Sequence, residues 1–123
     1  ARYLEADVNG VRIACIYLPN GNPVPGPKFD YKLAWMERLR ARMRELWALE
    51  IPVAVVGDFN VIPEDKDVWS PGAMAADALM QPESRDAYAR LLGDGWTDAI
   101  DTLNPRGGVW TFWDYQAGAW QRD

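Results

Sequence analysis

The chain has 123 residues, a formal net charge of −5 and a sequence pI near 4.7, with 49% hydrophobic and 25% charged residues, the balance of a globular domain or a part of one. It contains no histidine, which excludes a Ser-His triad, a Cys-His pair and a His-ligated zinc within it, and its single cysteine excludes an internal disulfide and points to a reducing, cytoplasmic setting. No apolar run reaches membrane-spanning length, no secretory signal is visible, and the acidic balance argues against a broadly basic nucleic-acid surface, although carboxylates that hold a metal would add the same charge without touching phosphate.

In chain order, Arg2 to Val8 reads as a strand and Asn9-Gly10 as a two-residue hairpin turn. Val11 to Leu18 is the returning strand. Val11, Ile13, Cys15 and Tyr17 lie on one face, and Arg12, Ala14, Ile16 and Leu18 on the other. Both faces are largely apolar, so burial on both sides is expected. Pro19 to Pro27, rich in Pro, Asn and Gly, is a loop. A long helix is predicted over about Phe29 to Leu49, where Leu33, Met36, Leu39, Met43, Leu46 and Trp47 recur at helical spacing. Arg38, Arg42 and Glu45 share its opposite face and are read as solvated rather than DNA-binding.

Val53 to Val56 is a continuous, mostly β-branched run and reads as a fully buried central strand ending at Gly57-Asp58-Phe59-Asn60. A loop is expected from Val61 to Gly72, then helical stretches over Ala73–Leu79 and Pro82–Leu92, the second stopped by Gly93-Asp94-Gly95. Val109 to Tyr115 reads as a strand crowded with aromatics. Strands alternating with helices indicate an α/β layered fold. The start at Ala1 and the stop after Gln121-Arg122-Asp123 suggest a single-domain fragment over residues 1–123.

The segments that carry chemistry follow strand ends, where catalytic groups collect in α/β proteins. Asp58 and Asn60 are two residues apart. On continued strand geometry they share a side, while Phe59 enters the core. A carboxylate there could orient and deprotonate a water, and an amide could donate to charge developing on a phosphorus centre. The plain structural alternative makes Asp58 a turn cap and Asn60 a left-handed residue. Tyr17 and Asn20, in Tyr17-Leu18-Pro19-Asn20-Gly21, could bind a phosphate oxygen, or the segment could simply be a turn. In Thr111-Phe112-Trp113-Asp114-Tyr115, one ring could be core and its neighbour could face a base or a base-less sugar.

Together the Tyr-x-Pro-Asn-Gly strand end, the helix opened by Lys28, Phe29 and Lys32, the Gly57-Asp58-Phe59-Asn60-Val61 segment and the Thr-Phe-Trp-Asp-Tyr run resemble, in this order, the exodeoxyribonuclease III and abasic-site (AP) endonuclease family. Pro82-Glu83-Ser84-Arg85 is similar to that family's Pro-x-x-Arg helix opening. The resemblance implies a partial four-layer α/β sandwich of the endonuclease/exonuclease/phosphatase fold, incomplete at both ends. It also implies a metal-dependent hydrolase that uses Mg²⁺ or Mn²⁺ on double-stranded DNA with abasic sites or 3′ ends. It assigns Tyr17 to the scissile phosphate, Asn20 to a phosphate contact, and Asp58 to the attacking water. Asn60 is assigned to transition-state charge and, with Asp58, to a weak metal position. Phe112 would line the sugar pocket, with Trp113 packed behind it, and Arg85 would be structural or a salt-bridge partner. The family's principal metal-binding Glu, an Asn near its N-terminus, a downstream Asp and a closing Asp-His pair have no match here. The fragment alone is therefore expected to be inactive and to self-associate through exposed apolar surface, whereas the complete enzyme is expected to be a monomer. Two other readings stay open: a phosphoesterase of the same fold acting on a non-DNA phosphoester, and a non-catalytic DNA-binding module.

Overall fold

The computed structural model describes residues 1–111. Its first unit is a hairpin of β1 (Tyr3–Val8) and β2 (Val11–Tyr17), antiparallel from Tyr3↔Ile16 to Val8↔Val11. Asn9 and Gly10 close it with φ of 48° and 82°. These left-handed values match the twist of the flanking strands, and Asn-Gly adopts them at little cost. Helix α1 (Pro27–Ala48) follows, opened by a proline whose missing N–H is one the first turn leaves unused anyway. Strand β3 (Val53–Asp58) then lies parallel to β2, so the sheet order is β1-β2-β3. A short 3₁₀ turn (Asp65–Asp67), α2 (Pro71–Met74), α3 (Pro82–Gly93) and α4 (Ala99–Leu103) complete the described chain.

The core lies between one face of the sheet and two helices. Ile16 and Leu18 pack with Met36, Leu39 and Met43 of α1 and Ala87 and Leu91 of α3. The stripe on α1 is Phe29, Lys32, Met36, Leu39, Met43 and Leu46, so Trp47 leaves the expected set and is 54% exposed. Arg42 is not a free solvated side chain: its guanidinium grips Glu5 of β1 at 2.7 and 2.8 Å and also reaches Glu45. Helical periodicity shows which face of α1 is polar but says nothing of the β1 carboxylate that meets it.

This clamp makes the hairpin acid-sensitive. The Arg42 fork, helped by a hydrogen bond donated by the Tyr3 hydroxyl, holds the Glu5 carboxyl at about 2, below its ordinary 4.5. The folded value lies below the unfolded one, so the stabilisation is complete above pH 4.5 and is lost as the pH falls toward 2. Glu5→Gln is expected to lower the melting temperature at pH 7 and to flatten its dependence on pH between these limits, as read by circular dichroism melts.

Two expectations about the sheet need correction. Among the described residues β3 is an edge strand, and it is not fully buried: Val56 on it is 45% exposed. The β-branched run signals two apolar faces but cannot name a strand's neighbours. β2 is the central strand, yet only Ala14 and Ile16 within it are buried, while Cys15 and Tyr17 are exposed. On the face carrying Leu4, Val8, Cys15, Tyr17 and Val56 these five side chains are all exposed, and the Arg2 guanidinium lies over the Tyr17 ring at 4.8 Å.

The first late helix starts at Pro71 and ends at Met74, earlier than Ala73–Leu79, because Pro71 supplies the opening position. The second runs one residue beyond Leu92 to Gly93, and Gly95 (φ 112°) ends it by donating to the Leu92 carbonyl at 2.9 Å. Residues 109–111 are irregular rather than extended in a sheet. The expected strand beyond them, with Phe112 and Trp113, lies outside the described residues. No helix among the described residues is long and apolar enough to cross a membrane.

Candidate active site

β2 and β3 run parallel, so their C-terminal ends lie side by side, and the register makes Tyr17 the direct partner of Asp58. Both face the open side of the sheet, opposite α1, because Ile16 one residue earlier is in the core. The ladder continues past the pair, with the Leu18 N–H donating to the Asp58 carbonyl at 2.8 Å. Gly57 makes this closeness possible. It has φ 125°, and a Cβ there would stand 2.0 Å from the Ile16 carbonyl oxygen.

Beyond Asp58 the strand does not continue. One Asp58 oxygen accepts from the Asn60 backbone N–H at 2.8 Å, and Asn60 takes φ 46°. The alternation that would put Asp58 and Asn60 on one side is therefore replaced by a turn that Asp58 caps. The turn uses one carboxylate oxygen of Asp58, and the other accepts no hydrogen bond among the described residues. The Asn60 amide nitrogen donates to the Leu18 carbonyl at 2.7 Å. Only the nitrogen end can face a carbonyl, so the amide oxygen points away from Leu18 and accepts no hydrogen bond among the described residues. Phe59 enters the core as expected, edge-on to Tyr88 at 5.9 Å. The Tyr88 hydroxyl donates to Asp98 at 2.6 Å, and burial followed by this carboxylate pushes its pKa up.

Asn20 stands on the loop after β2. Its side-chain oxygen accepts from the Asn22 backbone N–H at 3.1 Å and from the Asn22 amide at 2.7 Å. Its own amide nitrogen is the donor it can offer a phosphate. Asn22 in turn is held by Asp77 and by the Ala78 N–H, at 3.1 and 2.9 Å. Arg85 is structural as expected, donating to the Ile62 carbonyl at 2.8 Å and to Asp65 at 2.9 Å.

Tyr17, Asn20, Asp58 and Asn60 therefore gather at one end of the sheet. Lys32 joins them from below. It is fully buried and donates to the carbonyls of Asn20 and Asn60 at 3.1 and 2.5 Å. Burial pulls its pKa down to about 8, against the opposing pull of the Asp77 and Asp58 charges. Sequence reading used Lys32 only as part of a helix opening. The available signal was a lysine standing on the apolar stripe of a long helix.

Asp58 and Asn60 offer hard oxygen donors, the chemistry that Mg²⁺ or Mn²⁺ takes. No group of three or more His, Cys, Asp or Glu side chains gathers around a possible ion among the described residues. The pair thus fits a corner of a metal site, and further ligands are needed to complete it.

A sheet whose parallel strand ends present Tyr17 and Asp58, backed by two helices, is the half-sandwich of the endonuclease/exonuclease/phosphatase fold. An AP endonuclease from Archaeoglobus fulgidus superposes with a TM-score of 0.90 at 31% identity, over 98% of this chain and 48% of that one. A 3′ phosphatase from Neisseria bound to a product DNA hairpin superposes at 0.91 with 30% identity, over 98% and 47%. The exodeoxyribonuclease of Bacillus subtilis is 29% identical over 123 residues, which is 99% of this chain and 48% of that protein. No family model matches the chain. Along nearly its whole length the chain is similar to exodeoxyribonuclease and AP endonuclease proteins, and it spans about half the length of these three relatives (47 to 48%).

Proposed function

We propose that the protein this chain represents is a DNA-repair nuclease. It would hydrolyse phosphodiester bonds of duplex DNA at abasic sites and from 3′ ends, with a divalent metal of the Mg²⁺ or Mn²⁺ kind. The observation that carries the reading is the pairing of Tyr17 with Asp58 on adjacent parallel strand ends, with Asn60 pinned one turn further on. The named activities of the similar proteins support DNA as the substrate.

In this reading the free oxygen of Asp58 holds the attacking water and takes its proton as the water oxygen bonds to phosphorus. The P–O bond to the departing sugar oxygen breaks, and that oxygen is protonated from solvent. The Tyr17 hydroxyl and the Asn20 amide donate to non-bridging phosphate oxygens and hold the group in line. Asn60 has one amide proton committed to Leu18 and a second to offer as charge builds. When bound at Asp58 and Asn60, the metal would offset negative charge on the phosphate. Phe112 and Trp113 are proposed to form the wall against the base-less sugar.

The test is incision of a duplex carrying one stable abasic-site analogue, by the protein in its natural full length. Cutting with Mg²⁺ or Mn²⁺ that EDTA abolishes and added metal restores is expected. Absence of cutting with either metal would remove the DNA-repair assignment.

A further inference from the structure

The apolar stripe of α1 is interrupted once. At 36, 39, 43 and 46 it carries Met, Leu, Met and Leu, all buried; at 32, where it passes beneath the two loops of the candidate site, it carries a lysine with no exposed surface. A Met or Leu there would pack the same helix against the same sheet without the cost of removing an ammonium from water, which is several-fold larger than any gain from its stem. No carboxylate lies within ion-pair distance of it among the described residues. Its hydrogen-bond partners are main-chain carbonyls, those of Asn20 and Asn60. These belong to different loops, one leaving β2 and one leaving β3. Each carbonyl is on a residue of the candidate site.

The stem is fitted as closely as the head. Gly21 has φ 92°, and a Cβ on it would stand 2.6 Å from Lys32 Cδ, so the loop backbone lies directly on the lysine. The loop after β2 has a second anchor, through Asn22 to Asp77 and Ala78, and the same turn meets the segment after β3 only two residues beyond Asn60, where the Ile62 N–H donates to the Leu79 carbonyl at 2.9 Å. Beside the Asn60 amide, which reaches back to the Leu18 carbonyl, the Lys32 ammonium holds a main-chain carbonyl of each loop, Asn20 and Asn60, with one atom.

We propose that Lys32 is a positioning residue, one that sets the spacing of Asn20 and Asn60 around the scissile phosphate by holding both of their carbonyls. The proposal rests on the nuclease reading above for its kinetic consequence, while its structural consequence can be measured without activity. An unheld pair of loops would still bind DNA through Tyr17 and the rest of the surface. It would align the phosphate poorly, so the loss falls on kcat rather than on KM.

The experiment compares Lys32→Met, which keeps the stem and removes the ammonium, with the unsubstituted full-length protein, by incision kinetics and by amide hydrogen exchange. The expected result is a fall in kcat of about 10²-fold with KM little changed. Exchange should become faster at Asn60 and Leu18, while the β1-β2 hairpin and the middle of α1 keep their protection. Unchanged kcat with unchanged exchange at Asn60 would overturn the proposal. So would protection lost evenly over α1 and the sheet, which would make Lys32 a prop of the whole fold. If Lys32→Met does not fold, Lys32→Arg decides. Its broader head must displace one carbonyl, so selective loosening at Asn60 with lowered kcat supports the proposal and native values of both overturn it. If the unsubstituted protein does not cut DNA, the nuclease reading fails on its own, and the exchange pattern still tests whether Lys32 holds the loops.

Discussion

Gly57→Ala is expected to destabilise the fold more than any other single methyl added to the sheet, by more than about 3 kcal/mol. Two costs add. The residue sits at φ 125°, where a side chain is strained whatever the space. The new Cβ would also stand 2.0 Å from the Ile16 carbonyl oxygen, and this neighbour is main chain within the β2–β3 ladder, so it cannot rotate away. Relief requires the strands to part at Ile16↔Gly57, one step before Tyr17↔Asp58. Any folded remainder should therefore lose the candidate site as well as stability. Chemical denaturation of the variant checks the first effect, and a normal midpoint would show that the strand end relaxes more freely than this geometry allows. Gly10→Ala is the useful comparison. It also has positive φ but nothing within 4 Å of its added Cβ, so only the smaller conformational cost applies.

Asp58→Asn should leave the fold nearly intact and lower the proposed nuclease activity by about 10²–10⁴-fold, the range of a lost general base. The substitution is chosen because the Asn60 N–H donates to a side-chain oxygen of Asp58. An asparagine presents an oxygen in the same place, so the turn persists and Asn60 keeps its bond to Leu18. What is removed is the negative charge and the ability to accept a proton from water. Asp58→Ala would remove the turn cap too, and its defect would mix chemistry with a displaced Asn60. A drop in kcat with an unchanged melting temperature in the Asn variant is the expected outcome, measured on the same abasic duplex. Near-normal kcat would remove Asp58 from the chemistry and leave it as a turn cap.

Several parts of the fold were legible because their causes are local. Asn9-Gly10 closes its hairpin through its own backbone preferences, whatever surrounds it. The α1 stripe repeats at the helical period, and the strand that ends at Asp58 announces itself by β-branched residues followed by a glycine. The candidate residues Tyr17, Asn20, Asp58 and Asn60 were found from the same signals, since each stands where a strand gives way to a turn. Their gathering at one end of the sheet required the parallel pairing of β2 with β3, which neither segment states by itself.

The residues read least well are those whose meaning lies in a distant partner. Arg42 looked solvated because the face of a helix can be read from its period, whereas Glu5, 37 positions away, can be found only by packing β1 beside α1. Lys32 meets Asn60 across 28 positions and Asn20 across 12, and a buried ammonium acquires its role only from the carbonyls around it. The apolar second face of β2 and β3 was visible as composition, but whether anything covers it is a question of which elements are neighbours. Sequence alone thus indicated most of the elements, the turn chemistry and the candidate site residues, because propensity and side-chain chemistry belong to each residue. Tertiary structure alone decided that β2 is central among the described strands, that Tyr17 stands beside Asp58, and that one lysine reaches both loops, because these are pairings between segments whose contact depends on burial of the whole.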